Sequence, residues 1–243
     1  MDIYVINLDS SKDRMSAFET ANGSLKLNFL RFSALDGKNA ARSPLVDRGV
    51  IATDLCYGDG ALGAALSHLA LWNLAIDKNQ SITVCEDDAI FNCGFGPAAE
   101  SVIKALPQDW HVILWGWNFD SIALFDMIPG VSPCLAVFDQ DRMRMGIGAF
   151  QSARLMPQPF RLFNAFGVVC YSVSPMGART MKQHCLPFRN MQVFIPGLGR
   201  AVPNRGVDVM LNDVYPRVNA YVSFPPLIIT RNFHSNSTVQ QAL

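Results

Sequence analysis

Three acidic side chains stand in a row at Glu86-Asp87-Asp88, directly after the apolar run Ser81-Ile82-Thr83-Val84-Cys85 and just before Ile90-Phe91. Like charges packed this closely repel and raise one another's pKa unless a cation compensates. Carboxylate oxygens are hard ligands suited to Mg or Mn, and such an ion is usually shared between one or two carboxylates and substrate phosphates. The bland alternative is a solvated acidic turn. The apolar residues on both sides favour the metal reading. A second pair, Ser67 and His68, interrupts the apolar stretches Ala61 to Leu66 and Leu69 to Trp72. A buried His needs partners, and a core histidine bonded to backbone is the simplest account of it. Asp208 is one of only two acids after residue 141, the other being Asp213.

These groups need elements to hold them. Ile3 to Leu8 is a short β-branched run and reads as a buried strand. Lys12 to Ala21 follows as a helix, and Leu27 to Phe32 as a second strand. Residues 37–58 read as a long polar connection. Asp59-Gly60 opens a helix through about Asp77, apolar on nearly every face and therefore buried. Ser81 to Cys85 is the next strand, Pro97 to Leu106 a helix and His111 to Trp115 a strand. From Asn118 to Asn164 the pattern dissolves into Gly, Pro, Met, Phe and Arg. It returns with a strand over Phe166 to Val173, helices over Pro175 to Gln183 and Val207 to Val214, and a strand over Ala220 to Phe224. Such alternation predicts an α/β protein with a mostly parallel central sheet flanked by helices. Ligands of open α/β sheets bind at the carboxyl ends of the strands. Asn7, Asp36 and Glu86-Asp87-Asp88 all fall there.

Composition narrows the classes. The 243 residues carry 20 basic and 20 acidic side chains, half are hydrophobic and 16% are charged, which excludes global disorder. The zero net charge suggests no appetite for nucleic acid. Yet residues 1–141 hold 9 basic and 18 acidic side chains, whereas residues 142–243 hold 11 basic and two acidic. No apolar stretch is long enough for a transmembrane helix. The opening Met-Asp-Ile-Tyr-Val lacks a basic region followed by an apolar one, so no leader is expected. Six cysteines without a C-x-x-C pair read as reduced, mostly buried thiols, and a cytoplasmic location follows as the expectation.

The ordered motifs resemble glycosyltransferase family 25, which includes lipooligosaccharide and collagen galactosyltransferases. Ile3 to Leu8 with Asp13-Arg14 resembles its Asn-Leu-(x)-Arg opening, and Phe32 to Gly37 its Ala-Val-Asp-Gly segment. Gly63 to His68 with Trp72 resembles Gly-Cys-x-x-Ser-His, and Cys85 to Ala89 resembles Leu-Glu-Asp-Asp-Ala. Asp109 to Leu114, Gly167 to Ala178, Val207-Asp208 and Pro225 to Leu227 continue the series. Departures stand at Ala61, Ala64 and Val168-Val169, and residues 118–164 match poorly. A catalytically inactive, nucleotide-sugar-binding relative therefore stays open as an alternative. A metal-dependent nucleotidyltransferase or phosphohydrolase is disfavoured, because neither a Gly-rich phosphate loop nor a His-Asp metal set is present.

The resemblance implies a GT-A type fold in a single domain over residues 1–243. Residues 1–117 would form the nucleotide-sugar and metal half, 118–165 a variable acceptor-side segment, and 166–243 the acceptor and catalytic half. It implies transfer of a hexose, galactose by analogy, from a UDP-sugar to a saccharide acceptor such as a lipooligosaccharide, with Mn2+ (or Mg2+) as cofactor and inversion at the sugar. Glu86 and Asp88 would hold the metal, with His234 as a further ligand or a tail bystander. Asn7, Leu8, Arg14, Asp36, Ser67, His68 and Asp87 would line the donor pocket. Inversion by single displacement needs one base. Asp208 is the candidate, kept ionised by nearby arginines. Capping of the short helix that follows it is an equal alternative. Arg142, Arg144, Arg154 and Arg161 lie among Met and Phe residues and suit an anionic, lipid-linked oligosaccharide. Peripheral contact at the inner face of a membrane is one expectation, and an ordinary loop with buried apolar residues and solvated arginines is the other.

Overall fold

The computed structural model describes residues 1–231. The chain opens with β1 (Asp2–Asn7), α1 (Lys12–Asn22) and β2 (Asn28–Ser33), then a short α2 (Arg42–Asp47) and the long α3 (Asp59–Lys78). Strands β3 (Ile82–Glu86) and β4 (Ala89–Phe91) flank the acidic residues, and α4 (Phe95–Ala105) leads to β5 (Val112–Gly116). Next come β6 (Ile122–Ile128), β7 (Ser132–Val137), α5 (Gln140–Met145), α6 (Ile147–Ser152) and β8 (Gln158–Ala165). The remainder is β9 (Cys170–Val173), α7 (Pro175–Cys185), β10 (Gln192–Ile195), β11 (Arg200–Pro203), α8 (Val207–Val214), β12 (Ala220–Phe224) and β13 (Ile228–Thr230).

One nine-stranded sheet organises the molecule, in the order β2-β1-β3-β9-β5-β12-β8-β6-β7. Strands β2, β1, β3, β5, β12 and β6 point one way, and β9, β8 and β7 the other. The sheet is mixed α/β in kind, with most strands sharing a direction and helices on both faces. Strand alternation divides the core in two. Tyr4 and Val84 face the layer of α3, α7 and α8, with Leu62, Trp72, Tyr171 and Met210. Ile3, Val5 and Cys85 face the layer of α1 and α4, with Phe18, Phe95 and Trp115. Burying so many large apolar side chains is the dominant favourable contribution to folding. The α3 helix is buried along most of its length, as its apolar sequence predicts, and stops at Asn79 in a left-handed conformation.

Two expectations change. Residues 118–164 are regular: β6 and β7 form a hairpin at the end of the sheet, and β8 joins it to β12. Their signal is weak because the outer face of β7 leaves Leu135 and Val137 exposed, so apolar and polar residues do not alternate. The strand expected from Phe166 begins only at Cys170, because Gly167 takes a positive φ of 80° against Asn118. All six cysteines are free, with Cys85, Cys170 and Cys185 buried and Cys56 and Cys93 exposed.

Candidate active site

Pairing of β1 with β3 sets Ile6 opposite Glu86, so Asn7 ends its strand beside the acidic run. The middle acid is consumed there. Asp87 accepts a hydrogen bond from the Asn7 side-chain amide at 2.7 Å and an ion pair from Arg14 of α1. Asn7 also donates to the Ser11 carbonyl at 3.0 Å and accepts from Arg31 at 2.9 Å. The Leu8 carbonyl receives the Ser11 amide at 2.9 Å, which closes the turn into α1. Asn7, Leu8, Arg14 and Asp87 therefore form one frame at the ends of β1 and β3.

Glu86 and Asp88 are left for other work. Asp88 Oδ2 accepts from the Thr230 hydroxyl at 2.9 Å. Its Oδ1 is buried without a hydrogen-bond partner. Burial raises the Asp88 pKa, against the opposing pull of Arg14. Burial, then the charge of Asp88, pushes Glu86 up to about 8.

Asp208 reaches the same neighbourhood from α8, and its charge also bears on Glu86. It is not the helix cap: that position is Gly206. The Asp208 carboxylate instead accepts the Gly167 N–H at 3.2 Å. Burial raises its pKa, and backbone N–H groups rather than arginines oppose the rise. The expectation of nearby arginine support is thus corrected. Asn212, one turn further on, holds α8 in place. Its amide donates to the carbonyls of Asp208 and Ala165, and its Oδ1 accepts the Ala165 N–H at 2.9 Å. Sequence reasoning passed over Asn212, although a polar residue inside an apolar helix four positions after Asp208 is the signal that marks it.

The remaining expected residues lie apart. Ser67 is fully buried, accepting the Leu35 N–H at 2.9 Å and donating to the Gly63 carbonyl at 2.8 Å. It ties the loop after β2 to α3, where Gly37 and Gly63 let the two backbones touch: a Cβ on Gly63 would meet the Leu35 carbonyl at 2.4 Å. Asp36 in that loop is exposed and accepts from the Lys38 amide at 3.0 Å. His68 is in the core, its Nδ1 2.9 Å from the Tyr171 hydroxyl, which also accepts from Trp72 at 2.9 Å. Burial lowers its pKa to about 4, so it is neutral at physiological pH. His234 lies outside the described residues.

The sequence profile of glycosyltransferase family 25, an LPS biosynthesis protein family, matches residues 1–193. The chain belongs to glycosyltransferase family 25. Its class of chemistry is therefore glycosyl transfer. No curated protein matches the chain. Two solved structures align over 96% of it, each at 9% identity. One is A197 from STIV, 94% of which is covered at a TM-score of 0.36. The other is the galactosyltransferase LgtC in complex with donor and acceptor sugar analogs, 87% of which is covered at a TM-score of 0.38. Likeness at that level defines neither the family's substrate nor its mechanism.

In this family-25 chain, no three His, Cys, Asp or Glu side chains among the described residues are grouped to hold a metal ion by themselves. Two carboxylates nevertheless suffice for a Mg-type ion that completes its shell with water and substrate phosphate. Glu86 and Asp88 fit that role. The buried, unpartnered Asp88 Oδ1 is a polar atom that lacks a ligand, and an unsatisfied buried oxygen is costly. No described helix is long and apolar enough to cross a membrane.

Proposed function

We propose that the protein transfers a hexose, galactose by family analogy, from a UDP-sugar to a saccharide of a cell-surface glycan, with inversion. The observation that carries this reading is the division within Glu86-Asp87-Asp88. The middle acid is buried and locked into the frame, whereas the outer two are half-buried and mutually repelling, and one Asp88 oxygen has no partner. Glu86 and Asp88 would hold a manganese or magnesium ion, which would supply positive charge to the leaving diphosphate.

The chain's own residues do the rest. Asn7, Arg14 and Asp87 keep the two outer acids in place from the α1 side of the sheet. Asp208 approaches from the opposite face. The acceptor hydroxyl attacks the anomeric carbon, the bond to the diphosphate oxygen breaks with its electron pair leaving on UDP, and the hydroxyl proton passes to Asp208. Burial has raised the Asp208 pKa, which makes it a stronger base than an ordinary carboxylate. Ser67 and His68 act apart from these groups, Ser67 tying the loop after β2 to α3 and His68 holding the Tyr171 hydroxyl in the core.

The acceptor side includes the lobe of residues 118–165. Met145 and Met156 stand out at 79% and 85% exposure, and Arg142 and Arg154 are exposed beside them. Arg161 instead packs over the Tyr221 ring, and Arg144 is paired with Asp141. Exposed methionines with two open arginines support peripheral contact with an anionic lipid surface.

The deciding experiment is a thermal-shift screen of nucleotide sugars with and without Mn2+, followed by a transfer assay. A ligand that binds only the folded state raises its stability. The reading requires UDP-galactose to stabilise the protein, more strongly with Mn2+, and Asp88→Asn to remove the metal dependence. Stabilisation without any turnover over a panel of saccharides would identify an inactive relative. No response to any UDP-sugar would overturn the proposal.

A further inference from the structure

A cavity of about 390 Å3 opens where the loop around Cys56 meets the base of the β10–β11 hairpin. Its size falls within the range of small-molecule sites. Exposed Arg205, Gln192, Asn190 and Cys56 line it, with Met191 and Pro203 as an apolar wall. Its lining contains one cation and no carboxylate. Arg205 makes no ion pair or hydrogen bond among the described residues. The site is built on a fixed frame. Asn190 accepts the Cys56 N–H at 3.0 Å and donates to the Asp54 carbonyl. Asn204, at the floor, accepts the Tyr57 hydroxyl at 2.8 Å and donates to the Arg189 carbonyl at 2.8 Å.

This cavity lies near the candidate base, which is not itself part of the lining. Gly206 alone separates Arg205 from the first turn of α8, and a Cβ on Gly206 would sit 2.9 Å from Asp208 Oδ1. Tyr57 registers the same proximity. Burial raises its pKa, the bond to Asn204 opposes the rise, and the Asp208 charge adds to it. An apolar wall suits the C–H face of a sugar ring, amides suit its hydroxyls, and an open guanidinium suits an attached anion.

We propose that this cavity is the acceptor subsite, and that it takes a saccharide bearing a phosphate or carboxylate which pairs with Arg205. The proposal rests on the glycosyl-transfer reading of Asp208. It gives the basic half of the chain a defined anion contact at Arg205.

The test uses the exposed Cys56 thiol as a reporter. Alkylation of the whole protein by iodoacetamide is followed at Cys56 by peptide mass spectrometry, with exposed Cys93 as internal control. The compounds compared are glucose 6-phosphate, glucuronate, glucose and inorganic phosphate. Glucose 6-phosphate or glucuronate should slow Cys56 alkylation, about threefold at twice its Kd, and leave Cys93 unchanged. Arg205→Gln should abolish that protection, and the exposed position of Arg205 makes the variant safe to fold. Which of the two compounds protects more distinguishes a phosphate-bearing acceptor from a carboxylate-bearing one. Three outcomes overturn the proposal: no protection by either anionic sugar, protection that persists in Arg205→Gln, or inorganic phosphate protecting as well as the sugars do. The assay needs no donor, so a failed subsite and a failed donor screen are separate results. With turnover in hand, Arg205→Gln should raise the acceptor KM and leave the donor KM unchanged.

Discussion

The side-chain amide of Asn7 donates to Asp87 Oδ2 at 2.7 Å across 80 residues of sequence, and Arg14 grips the other oxygen of the same carboxylate. Removing a partner from a buried ion pair costs about 3–5 kcal/mol, and the partial exposure of Arg14, 32%, reduces that here. Asp87→Ala should therefore lower stability by about 2 kcal/mol. Activity should fall as well, although Asp87 is spent on the frame. Urea denaturation with a parallel transfer assay checks both. An unchanged midpoint would show that the frame carries no weight.

Glu86→Gln should do the reverse. The folded protein holds Glu86 near a pKa of about 8, well above the value of 4.5 for an ordinary glutamate. The unfolded chain loses its proton first, so stability falls as pH rises from about 4.5 to about 8. Removing the charge should raise Tm at pH 8 by about 2–4 °C and cost transfer at least about 100-fold. Calorimetry at pH 5 and pH 8 resolves the sign, since the gain should shrink at the lower pH. Added Mn2+ should narrow the gap by binding the wild type and not the variant.

His68 gives the opposite slope. Its pKa is near 4 in the folded state against 6.5 for an ordinary histidine, because the neutral ring is buried beside Tyr171. Between those values the unfolded chain binds more protons, so stability is full above pH 6.5 and is lost as pH falls toward 4. The amount is about 3 kcal/mol. His68→Gln, which keeps a hydrogen-bonding group for Tyr171, should flatten the acid limb of the Tm–pH curve. A curve parallel to wild type would remove His68 from that role.

Asp208→Asn leaves an oxygen to accept the Gly167 N–H, so folding should be intact. Donor-induced thermal stabilisation should stay the same and transfer should drop by about 10²–10⁴. In the wild type, the acid limb of the rate profile should lie above the ordinary carboxylate range, since burial raises this carboxyl. Near-normal transfer in Asp208→Asn would exclude the base.

Much of this architecture is legible in the chain. The α3 helix begins at Asp59 as expected, although its cap is Gly58 and not Asp59, and α8 spans Val207–Val214 as the apolar spacing requires. The acidic run falls at a strand end for the same reason. Its internal division does not show, because which acid is tied down depends on Asn7 and Arg14 docking from distant elements. Ser67 and His68 look like pocket residues for a related reason: the Tyr171 hydroxyl that claims His68 lies 103 residues away. Propensity reports local preference, and the fate of a polar side chain is decided by partners far along the chain.

Thr230, in the last described strand, holds one oxygen of Asp88, while Asn7, in the first, holds one oxygen of Asp87. Two neighbouring acids are thus held by residues 7 and 230, on strands far apart in the described chain. During synthesis the N-terminal strand and helix must wait for residue 87 to emerge, and the acids stay incompletely supported until β13 docks. Closing such long loops is slow and entropically costly. A nascent chain that has not yet formed β13 therefore lacks the Thr230 hold on Asp88, and full support of the acidic run reports that residues 7 and 230 have both docked.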